Sequence, residues 1–462
     1  MVAVQAFDPT LQSSKRRAVL SPRAKPPRVW VRPAAVGVAG VGFVLAMLSA
    51  ITVETGQELS LPGGPATFAG TLTGMAGTYL TLIMVLLVSR IPPVERVLGQ
   101  DGLLRWHRRV APWPISLLVA HALLIIVGYA QAGHTGFLHE SVTLILHFPD
   151  VLAATVGLGL MVLAGIVSIR AVRNRMQRET WWSIHLYMYL AIALSFAHAV
   201  ALGPSFVGHP LTRLLWAIVW AASAGTVLIY RFAMPVVRNL RYGLKVKEVR
   251  PEGPCVVSVV CTGRHVERLA VSGGQFFTWR FITPGLWWQA HPFSLSARPR
   301  PPYVRLTVKQ VGDFSKGVAE LRPGTRVMVE GPFGAFTADA MRQRKALLVA
   351  GGIGVTAMRA LLEDLPRASN PYVIVRASRE DDLVLREEIA ELVRHRHGTL
   401  QELIGTREQV VVTDRLLRKM VPDLGRREAF VCGPPEFVES AVAAIEAAGV
   451  PRQSIHYEEF SW

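Results

Sequence analysis

The chain has 462 residues, of which 51% are hydrophobic and only 18% are charged. This composition excludes a disordered or fibrous protein and favours membrane-spanning segments. The net charge is +17, but the basic residues alternate with long apolar runs, so we interpret them as signals of membrane topology rather than of nucleic-acid binding. The three cysteines (Cys255, Cys261 and Cys432) are too few for an iron–sulfur cluster held by four thiolates.

Six apolar stretches of about 20 residues predict six membrane-spanning helices in the first half of the chain. They cover residues 34–53, 69–89, 110–130, 151–169, 181–202 and 211–233. We interpret the first as an uncleaved helix, because its apolar run is too long for a secretory signal and no clear cleavage site follows. Lysines and arginines concentrate in residues 1–33 and in the second–third and fourth–fifth connections. The positive-inside rule therefore predicts that both chain termini lie in the cytoplasm, most simply at a bacterial plasma membrane.

The second half of the chain changes character near residue 240. Short β-branched segments broken by proline and glycine predict a β-barrel over residues 240–342. Over residues 343–462, strand, glycine-rich turn and helix alternate, which is the order of a parallel, Rossmann-like α/β sheet. These domains follow a basic cytoplasmic tail (1–33) and an α-helical membrane bundle of six helices (34–239).

Four histidines stand at or within the apolar stretches, where an ionisable side chain is costly and is therefore a functional candidate. His107 and His121 lie 14 residues apart in the third stretch, and His185 and His198 lie 13 apart in the fifth. Each step rises about 20 Å along a helix, so parallel helices would place His107 beside His185 and His121 beside His198. Imidazole is a common axial ligand of haem iron, and the two pairs predict two stacked haems. Because 13 residues do not complete whole turns, we expect a bulge or a tilt in the fifth helix.

The segments WHRRVAPWPISLLVAH and WWSIHLYMYLAIALSFAH, with this histidine spacing, resemble the transmembrane domain shared by ferric reductases and NADPH oxidases. The resemblance implies that the four histidines hold two b-type haems. It extends through the second half of the chain, as in single-chain prokaryotic members of this family.

HPFSLS at 291–296 resembles the flavin-binding motif of the ferredoxin–NADP reductase superfamily, and GDFSKG at 312–317 resembles its turn for the FAD pyrophosphate. The first motif assigns His291, Pro292, Phe293 and Ser294 to the flavin, with Ser294 hydrogen-bonded to it. The second assigns Gly312, Ser315, Lys316 and Gly317 to the pyrophosphate. Small residues let backbone N–H groups approach a phosphate closely, and Lys316 adds positive charge. GPFG at 331–334 closes the same barrel.

AGGIGVTAM follows an apolar strand and fits the G-x-G-x-x-A pattern that seats a pyrophosphate at a helix N-terminus. The nucleotide-binding residues predicted from this pattern are Gly352, Gly354, Val355 and Thr356. Arg376 and Arg379 end the next strand, where they could clamp the 2′-phosphate of NADPH; NADH stays open because the arginines could instead be solvated beside the acidic residues 380–382.

Two further features near the C-terminus resemble the reductase superfamily. The Cys432-Gly433-Pro434 turn matches the turn that borders the nicotinamide, although a buried cysteine is an equally ordinary core residue. An aromatic side chain near the chain end covers the flavin in these enzymes, and Phe460 matches its position best, with Trp462 as the alternative. The resemblance thus makes Cys432 and Phe460 the candidate catalytic residues.

These features together predict a membrane enzyme that passes electrons from cytosolic NADPH through FAD and two haems to ferric iron or molecular oxygen on the far side. Its expected partners are these small molecules and membrane lipid, without nucleic acid or an obligatory protein partner. The alternative is an electron-relay subunit that serves a partner protein or quinone.

The acceptor stays open at the sequence level. Ile125 stands where eukaryotic oxidases carry a further histidine, and residues 51–89 contain no arginine, although Arg213 could substitute for one. Both departures weaken the resemblance to oxygen-reducing members. Three histidines in the external loop could bind a metal ion or could simply face water. They are His134, His139 and His147.

Overall fold

The structure is a computed structural model, and it describes residues 31–52, 56–92, 94, 100–203, 206–406 and 409–460. Within these residues, six helices are long and apolar enough to cross a membrane. Nearly all of the predicted basic tail, and Trp462, lie outside the described residues.

The membrane half is a helical bundle. Its helices are α1 (Val31–Ile51), α2 (Gly64–Val88), α3 (Gln100–Val110), α4 (Pro112–Ala132), α5 (Phe137–His147), α6 (Val151–Ser168), α7 (Arg178–Leu202), α8 (Pro210–Thr226) and α9 (Met234–Tyr242). Short helices lie at Gly56–Ser60 and Arg170–Arg173. Together α3 and α4 make one membrane span, and α8 and α9 make another across the π-helical segment Val227–Ala233.

The third and sixth spans are longer than predicted. The third begins at Gly102, because an amphipathic basic helix precedes the apolar run and continues into it. Pro112 permits this continuation, since proline is tolerated in the first turn of a helix. The sixth runs on to Tyr242, so the predicted domain boundary near 240 falls in the last turn of α9.

Two other features of the membrane half refine the sequence-based expectations. The fifth membrane helix, α7, is α-helical over its whole length, so it contains no bulge and the alternative of a tilt stays a prediction, and a π-helical segment lies in the last span. The external loop is partly helical, because FLHESVTLILH forms α5.

Close packing of α2 against α4 depends on small residues. A Cβ added to Gly70 would come within 2.8 Å of Ile125, and one added to Gly74 would come within 2.6 Å of the His121 ring. Small residues let membrane helices approach each other where side-chain packing drives association. The absence of a side chain at Gly74 therefore makes room for the ring of His121.

The next domain is an antiparallel barrel that follows α9 directly. Its strands are β1 (Lys245–Gly253), β2 (Val256–Thr262), β3 (Phe276–Ile282), β4 (His291–Ser294), β5 (Tyr303–Lys309) and β6 (Arg326–Phe333), with helix α10 (Asp313–Ala319) after β5. The sheet order is β4-β3-β6-β1-β2-β5. An antiparallel bridge between Leu295 and Leu306 joins the two edge strands and closes the barrel around fully buried side chains such as Trp279 and Phe281.

The last domain is a parallel α/β sheet. Its elements are β7 (Lys345–Gly351), α11 (Val355–Asp364), β8 (Tyr372–Ala377), α12 (Arg386–Arg394), β9 (Thr399–Ile404), α13 (Asp414–Met420), β10 (Arg427–Gly433), α14 (Pro435–Ala447) and β11 (Ile455–Glu459). The strand order is β11-β10-β7-β8-β9. The chain adds β8 and β9 on one side of β7 and then crosses back to add β10 and β11 on the other side, so the order of addition switches between β7 and β10. Ligands of such sheets bind at the carboxyl ends of the strands beside this switch point, which here is the turn after Gly351.

The barrel and the α/β domain are joined by a partly buried ion-pair network. Arg305 of β5 makes a bidentate contact with Glu388 of α12 at 2.7 and 2.8 Å, and Arg359 of α11 contacts the same carboxylate at 2.7 Å. Burial opposes ionisation of Glu388, but the two arginines outweigh it and lower the pKa of this carboxyl. The network fixes one soluble domain against the other.

The barrel also contacts the membrane helices. Glu330 of β6 pairs with Arg90, which follows α2, and its Oε1 lies 3.4 Å from Nη1 of Arg231 in the last span. Asn239 of α9 donates to the carbonyl of Val329 and accepts from its amide, at 2.9 and 2.7 Å. These contacts hold the barrel at one end of the helical bundle.

Candidate functional site

The four membrane histidines lie in two facing pairs. The ring centres of His107 and His185, the proximal pair, are 6.2 Å apart, and those of His121 and His198, the distal pair, are 6.4 Å apart. An iron about 2 Å from one nitrogen of each ring, with each ring centre about 1 Å behind its nitrogen, requires centres about 6 Å apart. Both separations therefore fit one iron between two imidazoles.

Side chains hold one ring of the proximal pair. Trp181, four residues before His185 on α7, stacks on the His185 ring with the centres 5.2 Å apart. The Ser168 hydroxyl donates to the carbonyl of Ala164 at 2.7 Å and accepts from Trp181 Nε1 at 3.2 Å. It also lies 3.4 Å from Nδ1 of His185. With that nitrogen donating to Ser168, Nε2 of His185 is left for a metal.

The backbone holds one ring of the distal pair. Nδ1 of His121 lies 2.8 Å from the carbonyl oxygen of Gly70. A carbonyl can only accept, so this nitrogen carries the proton and Nε2 is the free ligand atom. Metal-bound histidines commonly donate their second ring nitrogen to a backbone carbonyl in this way.

The other member of each pair has a buried nitrogen without a partner. Nδ1 of His198 makes no hydrogen bond with the described residues, and Nδ1 of His107 has no partner at good hydrogen-bond geometry, although the backbone of Met84 lies near its ring. Unpaired buried polar atoms are rare and costly in a finished core. The residues present therefore fit two bis-histidine metal groups better than they fit a simple structural core.

A cavity of about 1030 Å³ connects the membrane half with both soluble domains. Its wall includes the proximal pair, the flavin motif, the nucleotide turn and the C-terminal tail. The predicted site residues on this wall are His107, His185, Pro292, Phe293, Ser294, Thr356 and Phe460. Neither histidine of the distal pair is among its lining residues. The cavity therefore brings part of the flavin motif and part of the nucleotide turn together at the proximal pair.

The flavin motif forms β4 at the mouth of the barrel. The Phe293 carbonyl accepts a hydrogen bond from Trp279 Nε1 at 3.0 Å, and the His291 ring packs on Phe314 with centres 4.0 Å apart. The Ser294 hydroxyl is buried and has no partner among the described residues, although it belongs to a residue on the cavity wall. This unsatisfied hydroxyl fits a ligand such as FAD that brings its own polar atoms.

His291 also touches the membrane half. Its Nε2 lies 3.5 Å from a carboxylate oxygen of Glu179, in the first turn of α7. The same helix carries His185 six residues later. The flavin motif is thus set against the helix that holds one member of the proximal pair.

The predicted pyrophosphate turn forms the start of α10. The Ser315 hydroxyl accepts from the amides of Val311 and Gly312 at 2.8 and 3.0 Å, so it is occupied within its own turn. Lys316 is exposed, and Gly317 lies against Leu286, where a Cβ would come within 3.1 Å of that side chain. None of the predicted pyrophosphate residues lines the cavity, and their role stays a prediction.

The predicted nucleotide turn lies at the switch point of the α/β sheet. Gly352 has a φ of +55°, which favours glycine, and a Cβ on Gly354 would lie 2.3 Å from the carbonyl oxygen of Cys432. Val355 is buried at the start of α11, and the hydroxyl of Thr356 donates to the carbonyl of Ile353 at 3.0 Å. The turn after β7 therefore packs directly on Cys432 and Gly433, the last two residues of β10.

The C-terminal candidates occupy different surroundings. The Cys432 thiol is fully buried in a cluster with Phe336 and Phe430, off the cavity wall. Burial and the nearby Glu458 raise the pKa of this thiol well above its usual value. Phe460 lines the cavity, and its backbone amide donates to the carbonyl of Gly433 at 3.0 Å. Pro434 precedes the first turn of α14.

The two arginines predicted to clamp a 2′-phosphate have different contacts in the structure. Nη2 of Arg376 donates to the carbonyl of Gly405 at 3.0 Å, which ties it to the loop after β9. The side chain of Arg379 is 71% exposed and lies 3.9 Å from a carboxylate oxygen of Asp382. Arg379 is the more accessible of the two to a phosphate.

The three external histidines do not form a metal site. His134, His139 and His147 are all exposed, and the described residues contain no group of three or more histidine, cysteine or acidic side chains that could hold a metal ion. Ser168, Trp181 and Glu179 are not among the site residues predicted from the sequence. Of these only Trp181 carried a readable signal, because an aromatic residue four positions before a histidine lies on the same helix face.

Two family models match the chain. The one described as "Ferric reductase like transmembrane component" matches residues 73–196, and the one described as "Oxidoreductase NAD-binding domain" matches residues 348–443. The first range contains three of the four paired histidines, and His198 lies two residues beyond it.

Curated relatives match the chain over part of its length. A flavohemoprotein of Xylella fastidiosa is 27% identical over 202 residues, which cover 40% of this chain and 50% of that protein. The ferredoxin reductase component of 3-ketosteroid-9-alpha-monooxygenase of Mycolicibacterium smegmatis is 30% identical over 229 residues, covering 47% of this chain and 65% of that one. The chain thus spans about half the length of the first relative.

Among solved structures, the FAD/NAD binding domain of nitric oxide dioxygenase from Vibrio cholerae is 21% identical, with a TM-score of 0.39, and the match covers 48% of this chain and 99% of that one. The cytochrome b5 reductase domain of Ulva prolifera nitrate reductase is 17% identical, with a TM-score of 0.40 and coverage of 48% and 98%. The chain is therefore a multi-pass membrane protein that combines a ferric reductase-like transmembrane domain with an oxidoreductase NAD-binding domain.

Proposed function

We propose that this protein transfers electrons from NADPH, by way of FAD and two b-type haems, to ferric iron or molecular oxygen on the other side of the membrane. The cavity of about 1030 Å³ carries the proposal, because the proximal pair, the flavin motif and the nucleotide turn share its wall. The separation of the rings in both histidine pairs supports the same function.

The cofactors would supply the redox chemistry, since a flavin can take the two electrons of a hydride and release them singly to haem. The protein supplies position and environment. The buried hydroxyl of Ser294 would orient the flavin, and the imidazoles of each pair would hold an iron between them. Trp181 and Ser168 would keep the ring of His185 in place. Phe460 would cover the flavin face until nicotinamide replaces it, beside the turn that contains Cys432.

The distribution of arginines supports an orientation with the soluble half in the cytoplasm of a bacterium. Arg90, Arg108, Arg173 and Arg231 all line the cavity, at the end of the bundle that faces the barrel. Positive residues favour the cytoplasmic side of a membrane protein. Electrons would then leave the cell interior through the distal pair.

The surroundings of the distal pair favour ferric iron over oxygen as the acceptor. Ile125, four residues after His121, packs as an aliphatic side chain against Gly70. The oxygen-reducing members of the family that the chain resembles place a further histidine there. An aliphatic side chain cannot donate a hydrogen bond to oxygen or superoxide.

The test is an acceptor panel on the purified, haem-loaded protein with NADPH, under air and under nitrogen. Reduction of a ferric chelate that persists under nitrogen would indicate metal, whereas dye reduction sensitive to superoxide dismutase would indicate oxygen. Reduction of neither acceptor, with a haem spectrum that does not respond to NADPH, would contradict the proposal. Reduced haem that passes its electrons only to a quinone or a protein would indicate a relay subunit.

Preference for NADPH over NADH is tested through Arg376 and Arg379. Arginine pairs with phosphate, and only NADPH carries the 2′-phosphate. Replacing Arg379 with Ala should raise the KM for NADPH more than the KM for NADH, and replacing Arg376 as well should enlarge the difference. An equal rise in both KM values would show that these arginines only support the fold.

The role of Phe460 is tested by Phe460→Ser. Removing the ring should let nicotinamide occupy the flavin face, with a stronger charge-transfer band, tighter NADP binding and a relaxed preference for NADPH. Trp462→Ser is the matched control at the chain end. If the Trp462 change alone produces these effects, the covering residue is Trp462.

A further inference from the structure

The last membrane span is longer than a bilayer requires. It runs over Pro210–Tyr242, which is 33 residues. Such a helix is about 50 Å long, whereas the hydrocarbon core of a bilayer is about 30 Å thick. Its final part, α9, must therefore pass through the lipid headgroup layer on the side of the soluble domains.

The surface of α9 suits that layer. Val237 is 41% exposed and Leu240 is 70% exposed, while Arg238 and Arg241 are also exposed. Exposed aliphatic residues beside basic ones are typical of helices at a membrane interface. These side chains give α9 an apolar and positively charged surface that none of the other described residues covers.

A groove lies between α9 and the turn after β2. It has a volume of about 370 Å³ and is lined by Val237, Leu240, Arg241, Arg264 and His265. We call it the α9 groove. Two of its residues are aliphatic and three can carry positive charge, so the groove suits a ligand that has both a hydrocarbon chain and an anionic group.

The basic side chains of the α9 groove are largely free of competing partners. The Arg241 guanidinium makes no hydrogen bond or ion pair within the described part of the chain. Nη2 of Arg264 makes one long contact, 3.5 Å, with the carbonyl of Leu240. Nδ1 of His265 lies 3.5 Å from a carboxylate oxygen of the exposed Glu267, which does not line the groove.

We propose that the α9 groove binds an anionic phospholipid from the leaflet that faces the soluble domains. Guanidinium groups match phosphate in charge and geometry, and clusters of basic residues at a membrane surface attract anionic lipids. The phosphate would contact Arg241 and Arg264, and an acyl chain would lie along Val237 and Leu240.

The groove is connected to the rest of the barrel. The backbone amide of Arg264 donates to the carbonyl of Tyr242 at 2.7 Å, and Asn239, one turn back on α9, bonds the backbone of Val329 in β6. A lipid held in the groove would therefore brace the barrel against the membrane. This inference depends on the membrane insertion of the chain and not on its electron acceptor.

The test compares spin-labelled phosphatidylglycerol with spin-labelled phosphatidylcholine in vesicles that contain the full-length protein. Electron paramagnetic resonance gives the fraction of each label immobilised by the protein. We expect a preference for phosphatidylglycerol, and we expect Arg241→Gln with Arg264→Gln to reduce it by about fivefold for each arginine. Inorganic phosphate should not displace the immobilised phosphatidylglycerol.

The matched control is Arg238→Gln with Arg268→Gln. It makes the same change in net charge, on the same helix and the same segment after β2, but these residues do not line the groove. An equal loss of preference in the control would overturn the proposal, because it would reflect general surface charge. Equal immobilisation of both lipids by the unmutated protein would also overturn it, and displacement by phosphate would show a site for free anions instead.

Discussion

The proximal and distal histidine pairs have almost the same ring separation, 6.2 and 6.4 Å, but different surroundings. The proximal pair lies on the wall of the cavity that reaches the flavin motif, whereas neither distal histidine lines that cavity. Helix geometry therefore sets the ring separation within each pair, whereas the residues around a pair determine whether the cavity reaches it. Two sites of equal geometry can in this way serve as an entry point and an exit point for electrons.

The two pairs also differ in what holds the rings. A serine and a tryptophan side chain hold His185, whereas a backbone carbonyl and a glycine-lined helix face hold His121. Side chains vary with mutation more freely than a backbone carbonyl does. The proximal pair is therefore the one whose properties can be tuned without rebuilding a helix interface.

Removing one histidine from each pair should have the largest effect. His121→Ala should remove the distal haem and abolish acceptor reduction, while NADPH still reduces the proximal haem. His107→Ala should remove the proximal haem and block reduction of both acceptor and distal haem, because the cavity reaches only the proximal pair. Pyridine-haemochrome analysis and NADPH-dependent difference spectra measure these outcomes.

His134→Ala is the control for that experiment, since His134 is exposed and belongs to neither pair. It should leave both haems in place. One haem per chain in the unmutated protein, or distal reduction that survives His107→Ala, would remove the distinction between an entry and an exit pair.

Filling the space beside His121 should act on the distal pair alone. In Gly74→Ala the new Cβ would lie 2.6 Å from Nδ1 of His121, so the ring must move away from the Gly70 carbonyl. We expect the distal haem content to fall by half or more while the proximal haem stays.

Haem stoichiometry and the reduced spectrum of each variant give the measurement. Gly159→Ala is the matched control, because a Cβ there meets nothing within 4 Å. Loss of both haems in the Gly74 variant would mean that the packing of α2 supports the whole bundle and not the distal pair.

Weakening the barrel contact should act on the proximal pair alone. Glu330→Gln removes the negative charge between Arg90 and Arg231, whose side chains are only 19% and 22% exposed. Charge-assisted contacts of this kind contribute about 1–3 kcal/mol, so we expect flavin-to-haem transfer to slow several-fold while NADPH still reduces the flavin at its normal rate.

Stopped-flow absorbance separates these two steps. Glu320→Gln, an exposed change on the same barrel, is the control and should alter neither. Slower flavin reduction in the Glu330 variant would show that the contact stabilises the barrel itself.

Removing the Ser168 hydroxyl should have the smallest effect. A histidine ligand that donates its second nitrogen is a stronger ligand for oxidised iron, so Ser168→Ala should raise the midpoint potential of the proximal haem. One neutral hydrogen bond contributes about 1 kcal/mol, which corresponds to about 40 mV for one electron.

Spectroelectrochemical titration resolves the two haems. Thr155→Ala, also on α6 but exposed and distant in sequence, should shift neither potential. An equal shift of both potentials in the Ser168 variant would argue for a change in the bundle as a whole.

Much of this arrangement was predictable from the sequence. Six spans follow from apolar length, and the pairing of the four histidines follows from steps of 14 and 13 residues on parallel helices. The parallel sheet with its glycine-rich turn follows from local pattern. These features depend on periodicity along the chain, which a sequence displays directly.

The features that the sequence did not reveal depend on contacts between distant segments. Ser168 reaches His185 across the fourth–fifth connection, and Glu179 reaches His291 across more than a hundred residues. Arg376 lies only three residues before Arg379 in the sequence, yet its side chain bonds the carbonyl of Gly405 in the loop after β9. Polar side chains from distant segments form their hydrogen bonds only once the fold has brought these segments together. Composition and spacing along the chain therefore do not predict which side chains pair.

The hydrogen bond from the Phe460 amide to the Gly433 carbonyl bears on how fast the Phe460 side chain can move. The backbone at this position is fixed to β10, so a Phe460 ring that covers the flavin, as proposed above, would leave it by rotation about its own side-chain bonds. Rotations of partly buried side chains and short terminal segments take nanoseconds to microseconds, whereas enzymes commonly turn over about ten times per second. Nicotinamide would therefore meet a cover that opens many thousands of times during each catalytic cycle, and the pace of the enzyme would be set at another step.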